Sequence, residues 1–101
     1  MSAAAELAKC RAALDEIDAG IVEALARRMD VCRRVAAVKK REGIPMMNQG
    51  RIDHVRAKAR ARASEFGENP DFVEEVFKIV IAEACRVEDE IIDQAGSGAG
   101  S

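Results

Sequence analysis

The stretch from Leu7 to Arg41 contains no proline, and its only glycine is Gly20. Apolar residues recur along it at heptad spacing, which predicts a single long helix with an apolar stripe. One line of the stripe is Leu7, Leu14, Ile21 and Val35, and the line beside it is Cys10, Ile17, Ala24, Val31 and Val38. Ser2 is a candidate N-cap and Gly43 a candidate C-terminal stop. At about 1.5 Å per residue, such a helix would be roughly 60 Å long.

A helix of that length constrains the rest of the fold. A compact domain of this size has a radius of gyration of about 13 Å, so the remainder of one chain cannot cover the helix. Pro45 and Gly67 separate two further apolar-periodic segments, predicted as helices at about Gln49–Phe66 and about Pro70–Asp93. Their combined length roughly matches that of the first helix. We therefore predict an all-α fold with three helices per chain, one very long, in an intertwined helical homodimer.

The chain divides into one helical domain, residues 1–94, and a Gly/Ser/Ala-rich segment, residues 95–101, which predicts a flexible C-terminal tail. Aromatic residues are 3% of the chain, with no Trp or Tyr, and the net charge is −2. These values argue against nucleic-acid and membrane partners. There is no signal peptide and no metal-ligand spacing, so we expect a cytoplasmic protein whose three cysteines are small core residues.

Two of the predicted helices carry charged residues where the apolar stripe calls for a core residue. Arg28 lies on the first stripe, Lys39 follows eleven residues later on the same side, and Glu88 lies on the apolar face of the third helix. Buried cations are costly unless an anion meets them. Two interpretations stay open: a cationic pocket for a small anion, or an Arg28–Glu88 ion pair that fixes helix register. Lys39 and Arg11 could each be ordinary solvated residues.

The order and spacing of several residues resemble the all-helical class of chorismate mutases. The resemblance extends from about Leu7 to Ile92. It rests on Arg11, Leu14-Asp15-Glu16-Ile17-Asp18, Arg28, Val35, Lys39, Pro45 and Arg51. Members of that class form intertwined dimers with two equivalent sites, each receiving one arginine from the other subunit. Their reaction, a unimolecular [3,3] rearrangement of the dicarboxylate chorismate to prephenate, uses neither a metal nor an organic cofactor.

The resemblance also implies roles for individual residues. Arg28 and Arg11 of the partner subunit would hold the two carboxylates. Lys39 would donate to the ether oxygen, and Glu88 occupies the second donor position at that oxygen. The remaining substrate-binding positions are Asn48, which is also a candidate N-cap, Arg51, Ile52 and Ala84.

Two of these positions depart from the common bacterial pattern. Ile52 stands where that pattern has a carboxylate for the ring hydroxyl, and Ala84 stands where it has a hydroxyl residue. The segments 43–51 and 85–89 are instead similar to a subgroup that acts on 4-amino-4-deoxychorismate. We therefore expect a mutase of chorismate or of its 4-amino analogue. The alternatives are an isochorismate–pyruvate lyase on the same fold and a non-catalytic helical dimerisation module.

Overall fold

The computed structural model describes the backbone of residues 2–100 and the side chains of residues 2–92. Its helices are α1 (Ala3–Glu42), α2 (Gln49–Glu65) and α3 (Pro70–Gly100). No strand occurs among the described residues. The prediction of an all-α fold with three helices, the first very long, is therefore confirmed.

The start of α1 agrees with the N-cap predicted at Ser2, whereas the end of α3 differs from the predicted position. The hydroxyl of Ser2 accepts a hydrogen bond from the Ala5 amide at 3.1 Å, which makes Ser2 the N-cap. Because alanines follow this cap and alanine is the strongest helix former, the chain is already helical at Ala3. The third helix extends to Gly100 instead of ending near Asp93. The tail predicted at 95–101 lies outside the residues with described side chains, and its flexibility stays a prediction.

The chain forms two compact units, Met1–Val31 and Cys32–Ser101. The first consists of the N-terminal part of α1. Its apolar stripe is solvent-exposed in the single chain, with 51% exposure at Leu7, 56% at Leu14 and 53% at Ile21. Cys10 is exposed as well, so its assignment as a core residue is wrong for the isolated chain. A lone helix segment has no second element within its own unit against which this stripe could pack.

The second unit contains the last turns of α1 together with α2 and α3. Its buried apolar residues are small and come from all three helices: Ala36, Ala59, Ala63, Ala84 and Val87. Small side chains at a helix contact allow the helix axes to approach closely. Charged residues join α2 to α3, with Arg60 bound to Asp71 at 2.8 Å and Arg56 bound to Glu74 at 3.1 Å. These pairings run in opposite directions along the two helices, so α2 and α3 form an antiparallel hairpin.

The turn between α1 and α2 begins with a Schellman motif, the glycine-terminated helix end in which two amides bond back to the last turn. Gly43 has a φ of 67°, the left-handed conformation that favours glycine. Its amide donates to the Lys40 carbonyl at 3.4 Å, and the Ile44 amide donates to the Lys39 carbonyl at 2.8 Å. Pro45 follows, and since proline fixes φ it stiffens the chain just beyond the motif.

The turn between α2 and α3 repeats the same motif. Gly67 has a φ of 71° and donates to the Ser64 carbonyl at 3.1 Å, while the Glu68 amide donates to the Ala63 carbonyl at 2.8 Å. The two helix ends thus have the same backbone geometry, and each places a glycine where a residue with a Cβ would be strained. Phe66, predicted as the last residue of the second helix, is the C-cap of α2 and is exposed.

We expect that Asn69→Ala lowers the free energy of unfolding by about 1 kcal/mol, because Asn69 is the N-cap of α3. Its side-chain oxygen accepts a hydrogen bond from the Asp71 amide at 2.9 Å. The measurement is urea unfolding followed by circular dichroism. Asn69→Ser, which keeps an oxygen acceptor, is the control and should lose much less. Equal losses in the two variants would contradict the capping role.

Candidate functional site

Lys39 is held in the last turn of α1, where its side chain is only 19% exposed. Its Nζ donates to the Met46 carbonyl oxygen at 2.8 Å and to Glu88 Oε1 at 3.2 Å. An ammonium group has three N–H donors, so two contacts leave one donor for a bound oxygen atom. Lys39 is therefore not a solvated surface cation, and its role as a site residue stays a prediction.

Glu88 is a buried charged residue of α3, with a side chain that is 11% exposed. Ala84 lies one turn before it on the same helix face, and Val87 beside it is also buried. The sequence pattern allows an ion pair of Glu88 with Arg28, and the ion pair described at Glu88 is with Lys39. Because water is largely excluded here, the attraction between the two charges is stronger than it would be on the surface.

The segment that follows the α1–α2 turn holds three more of the predicted substrate-binding residues. Asn48 is the N-cap of α2, as predicted, and its Oδ1 accepts a hydrogen bond from the Arg51 amide at 3.0 Å. The Asn48 carbonyl accepts from the Ile52 amide at 3.1 Å. The Arg51 side chain is exposed, and Ile52 is half-buried. Capping occupies the Asn48 side-chain oxygen, and its amide NH2 group is the part that could serve a ligand.

The two remaining predicted residues belong to the first unit. Arg11 is exposed on α1, and Arg28 is half-buried. Within the second unit, the structure brings together Lys39, Glu88 and the Met46 carbonyl. The roles of Arg11 and Arg28 stay predictions.

Sequence reasoning missed the Met46 carbonyl as a site group. A main-chain acceptor leaves no trace in the side-chain pattern, since every residue has one. The available signal was indirect, because Lys39 lies shortly before the Gly43 and Pro45 turn that folds the chain back over the end of α1.

Cys85 lies on α3 beside Ala84, and the pKa of its thiol depends on the neighbouring charges of Lys39 and Glu88. Burial raises the pKa of its thiol, and the negative charges of Glu88 and Asp89 raise that pKa further, as does Cys32, whereas the positive charge of Lys39 lowers it. Cys85 is thus close enough to respond to both members of the Lys39–Glu88 pair. With a raised pKa it stays a protonated, weakly nucleophilic thiol at neutral pH.

Neither a metal centre nor a membrane span is found in the described part of the chain. No group of three or more His, Cys, Asp or Glu side chains there could hold a metal ion. No helix there is long and apolar enough to cross a membrane.

Comparison with protein families gives a match to the model of chorismate mutase type II over residues 10–89. The match thus includes Arg11, Lys39 and Glu88. It covers most of α1, the whole of α2 and most of α3.

Individual relatives carry related names. The 4-amino-4-deoxychorismate mutase of Streptomyces venezuelae is 36% identical over 89 residues, which are 88% of this chain and 86% of that protein. The enzyme of the same name from Streptomyces pristinaespiralis is 38% identical over 87 residues, 86% of this chain and 67% of that protein. The T-protein of Enterobacter agglomerans is 31% identical over 85% of this chain, which corresponds to 23% of that longer protein.

We expect Cys85 to be alkylated by iodoacetamide more slowly than the exposed Cys10 at neutral pH, because its raised pKa leaves little thiolate. Glu88→Gln removes a charge that raises this pKa, so alkylation should become faster. Lys39→Met removes a charge that lowers it, so alkylation should become slower. Mass spectrometry of the labelled peptide measures both rates, with Glu75→Gln, an exposed carboxylate elsewhere on α3, as the control. Identical rates in all variants would show that Cys85 does not sense the pair.

Proposed function

This chain belongs to the chorismate mutase type II family, and we propose that it is an isomerase that rearranges 4-amino-4-deoxychorismate, with chorismate as the second candidate substrate. The family match and the two relatives named 4-amino-4-deoxychorismate mutase support a mutase-type reaction. The observation that carries the proposal is the shielded contact between the Lys39 ammonium and the Glu88 carboxyl group, at 3.2 Å.

The reaction needs a shaped and charged site more than it needs a reactive group. In a [3,3] rearrangement, one C–O bond breaks while a C–C bond forms within the same molecule. The site must hold the substrate in the folded conformation that brings the two carbon atoms together, which is an orientation effect. Negative charge grows on the ether oxygen as its bond to carbon breaks. Donors that are already in place stabilise this charge without any cost of reorganisation.

We assign the donor at the ether oxygen to Lys39. Its ammonium is fixed by two acceptors, and the third N–H can point at a substrate oxygen. A positive charge that is shielded from water stabilises a developing negative charge more strongly than an exposed one would. This matches what the reaction requires.

We assign Glu88 to the second donor position at the same oxygen. A carboxyl group donates only when it is protonated, whereas an ionised carboxylate would place negative charge where negative charge is growing. The ionised form also neutralises Lys39 and reduces the attraction of the site for a dicarboxylate. A neutral carboxyl group at this position would have neither disadvantage.

The preference for the amino substrate rests on the relatives and on Ile52. The two relatives of that name are aligned over 88% and 86% of this chain. Ile52 is half-buried and has no polar side-chain atom, so it cannot accept a hydrogen bond from a ring hydroxyl. Position 52 therefore provides no side-chain recognition of chorismate's hydroxyl group.

We propose that the active form is a homodimer in which Arg28 and Arg11 of the partner subunit hold the two substrate carboxylates. The support is the exposed stripe of the first unit, where Leu14 and Ile17 are 56% and 59% exposed in the single chain. Contiguous exposed apolar surface on a helix marks a contact surface, and a second copy of α1 offers a matching stripe.

We expect the purified protein to convert 4-amino-4-deoxychorismate with a higher kcat/KM than chorismate and to release no pyruvate from isochorismate. Lys39→Met should lower kcat by about 100-fold or more, the size of effect seen when one preset donor is lost. Lys40→Met changes the neighbouring exposed lysine and should keep activity. Chromatography of the products with all three substrates side by side is the measurement. Pyruvate release would indicate a lyase, and inactivity on all three would refute the proposal.

The shared-site proposal predicts complementation between two inactive variants. Arg11→Ala and Arg28→Ala should each be inactive as homodimers. After subunit exchange, a mixed dimer has one site with both arginines intact, so random mixing should restore about one quarter of wild-type activity. Exchange is verified by mass spectrometry of differently tagged subunits. If both arginines serve a site in their own chain, verified mixed dimers will stay inactive.

A further inference from the structure

The loop between α1 and α2 touches Lys39 at both ends of the residue. At the main chain, the Lys39 carbonyl accepts the Ile44 amide at 2.8 Å, which closes the Schellman motif. At the side chain, the Lys39 ammonium donates to the Met46 carbonyl at 2.8 Å. The residues between these two contacts include Pro45, whose φ is fixed. The backbone of residues 43–46, which we name the Lys39 loop, thus forms a closed connection with this one lysine.

We propose that the Lys39 loop is a positioning device for the catalytic lysine, and that the Met46 carbonyl is its positioning group. This inference rests on the proposed function. The loop sets where the Lys39 ammonium lies and leaves its third N–H directed to the substrate oxygen.

The Glu88 contact alone would not fix the ammonium. A lysine side chain has several rotatable bonds, and one ion pair at 3.2 Å allows the ammonium to move around the carboxylate. A second acceptor on a different element restricts that motion, and the contact to Met46 is the shorter of the two. The carbonyl belongs to a segment that is itself held by the helix-end motif, so its position does not depend on a side-chain rotamer.

The chemical nature of the acceptor also suits this role. A carbonyl oxygen is neutral, so it orients the ammonium without cancelling its positive charge. An ionised Glu88 orients the ammonium but does cancel that charge. The positive charge required at the ether oxygen is therefore preserved by the Met46 contact and reduced by the Glu88 contact.

The two Schellman turns provide a matched test of the proposal. Gly43 and Gly67 have φ values of 67° and 71°, and an added Cβ would meet no atom within 4 Å at either position. Gly43→Ala and Gly67→Ala should therefore strain the backbone equally and lower the melting temperature by similar amounts. Only Gly43→Ala disturbs the Lys39 loop. Gly43→Asn is the rescue variant, because asparagine tolerates the left-handed conformation.

The readout is the rate at which N-hydroxysuccinimide acetate acetylates Lys39 relative to the exposed Lys40, measured by mass spectrometry. It requires no catalytic activity. We expect Gly43→Ala to raise this ratio several-fold, with Gly67→Ala and Gly43→Asn near the wild-type ratio. In the activity assay, kcat of Gly43→Ala should fall by about tenfold or more with a smaller change in KM, as expected for a misplaced catalytic group.

A second variant covers the case in which Gly43→Ala does not fold. Replacing Met47 with its α-hydroxy analogue converts the Met46–Met47 amide into an ester, which weakens the Met46 carbonyl as an acceptor and keeps every side chain. The acetylation ratio should again rise and kcat should fall. An unchanged acetylation ratio in the folded variants would overturn the positioning role, even if the wild-type protein is an active mutase. A raised acetylation ratio in a protein that is inactive on all three substrates would refute the proposed function. It would still support the positioning of the Lys39 side chain by the Lys39 loop.

Discussion

The contact between the Lys39 ammonium and the Glu88 carboxyl group connects the last turn of α1 to α3 within the second unit, and the proposed site depends on it. The apolar residues buried around this unit are mostly alanines, which contribute little area each. Removing one partner of a shielded ion pair leaves the other charge uncompensated and lowers the free energy of unfolding, typically by about 3–5 kcal/mol. Replacing only one of the two residues by an apolar residue would therefore destabilise the protein more than replacing both together. The same two charges form the centre of the proposed site, so stability and activity draw on one interaction.

The charge of this contact determines how strongly the proposed site would attract a dicarboxylate. With both groups charged, the pair is neutral and attracts an anion weakly. With Glu88 protonated, the ammonium is uncompensated and both groups can donate hydrogen bonds. The Met46 carbonyl is neutral, so it can hold the Lys39 ammonium without adding charge to the contact. The Met46 carbonyl therefore positions the lysine, while the Glu88 carboxyl group affects the electrostatic potential around it.

The sequence predicts a large part of this structure for identifiable reasons. Heptad spacing together with Gly43, Gly67 and Pro70 marks the three helices, because helix-ending residues act locally. Glu88 stands out because it interrupts the apolar face of the third helix, and Lys39 because it follows the stripe residue Arg28 on the same side of the first. Their direct contact could not be read from spacing, since it joins residues 49 positions apart through the fold. The Met46 carbonyl could not be predicted at all from side-chain identities. Cys10 shows a second limit of sequence-based prediction. Its position on the apolar stripe indicates burial, but does not tell whether the covering surface belongs to the same chain. The joint placement of Arg11 and Arg28 in one site stays a prediction for that reason.

The two turns of the chain share one backbone design and differ in the course of the chain after the glycine. After Gly43 the loop returns to contact the Lys39 side chain, whereas after Gly67 the chain proceeds at once to the Asn69 cap of α3. The length of the first loop is therefore constrained by the contact between Lys39 and the Met46 carbonyl, and that of the second loop only by helix geometry. For protein engineering, this makes the peptide bond between Glu68 and Asn69, after the helix-end motif and before the cap, the place to insert a peptide tag, a reporter domain or a split-protein breakpoint. An insertion at the first turn would uncouple the lysine from its carbonyl, even if all three helices still formed.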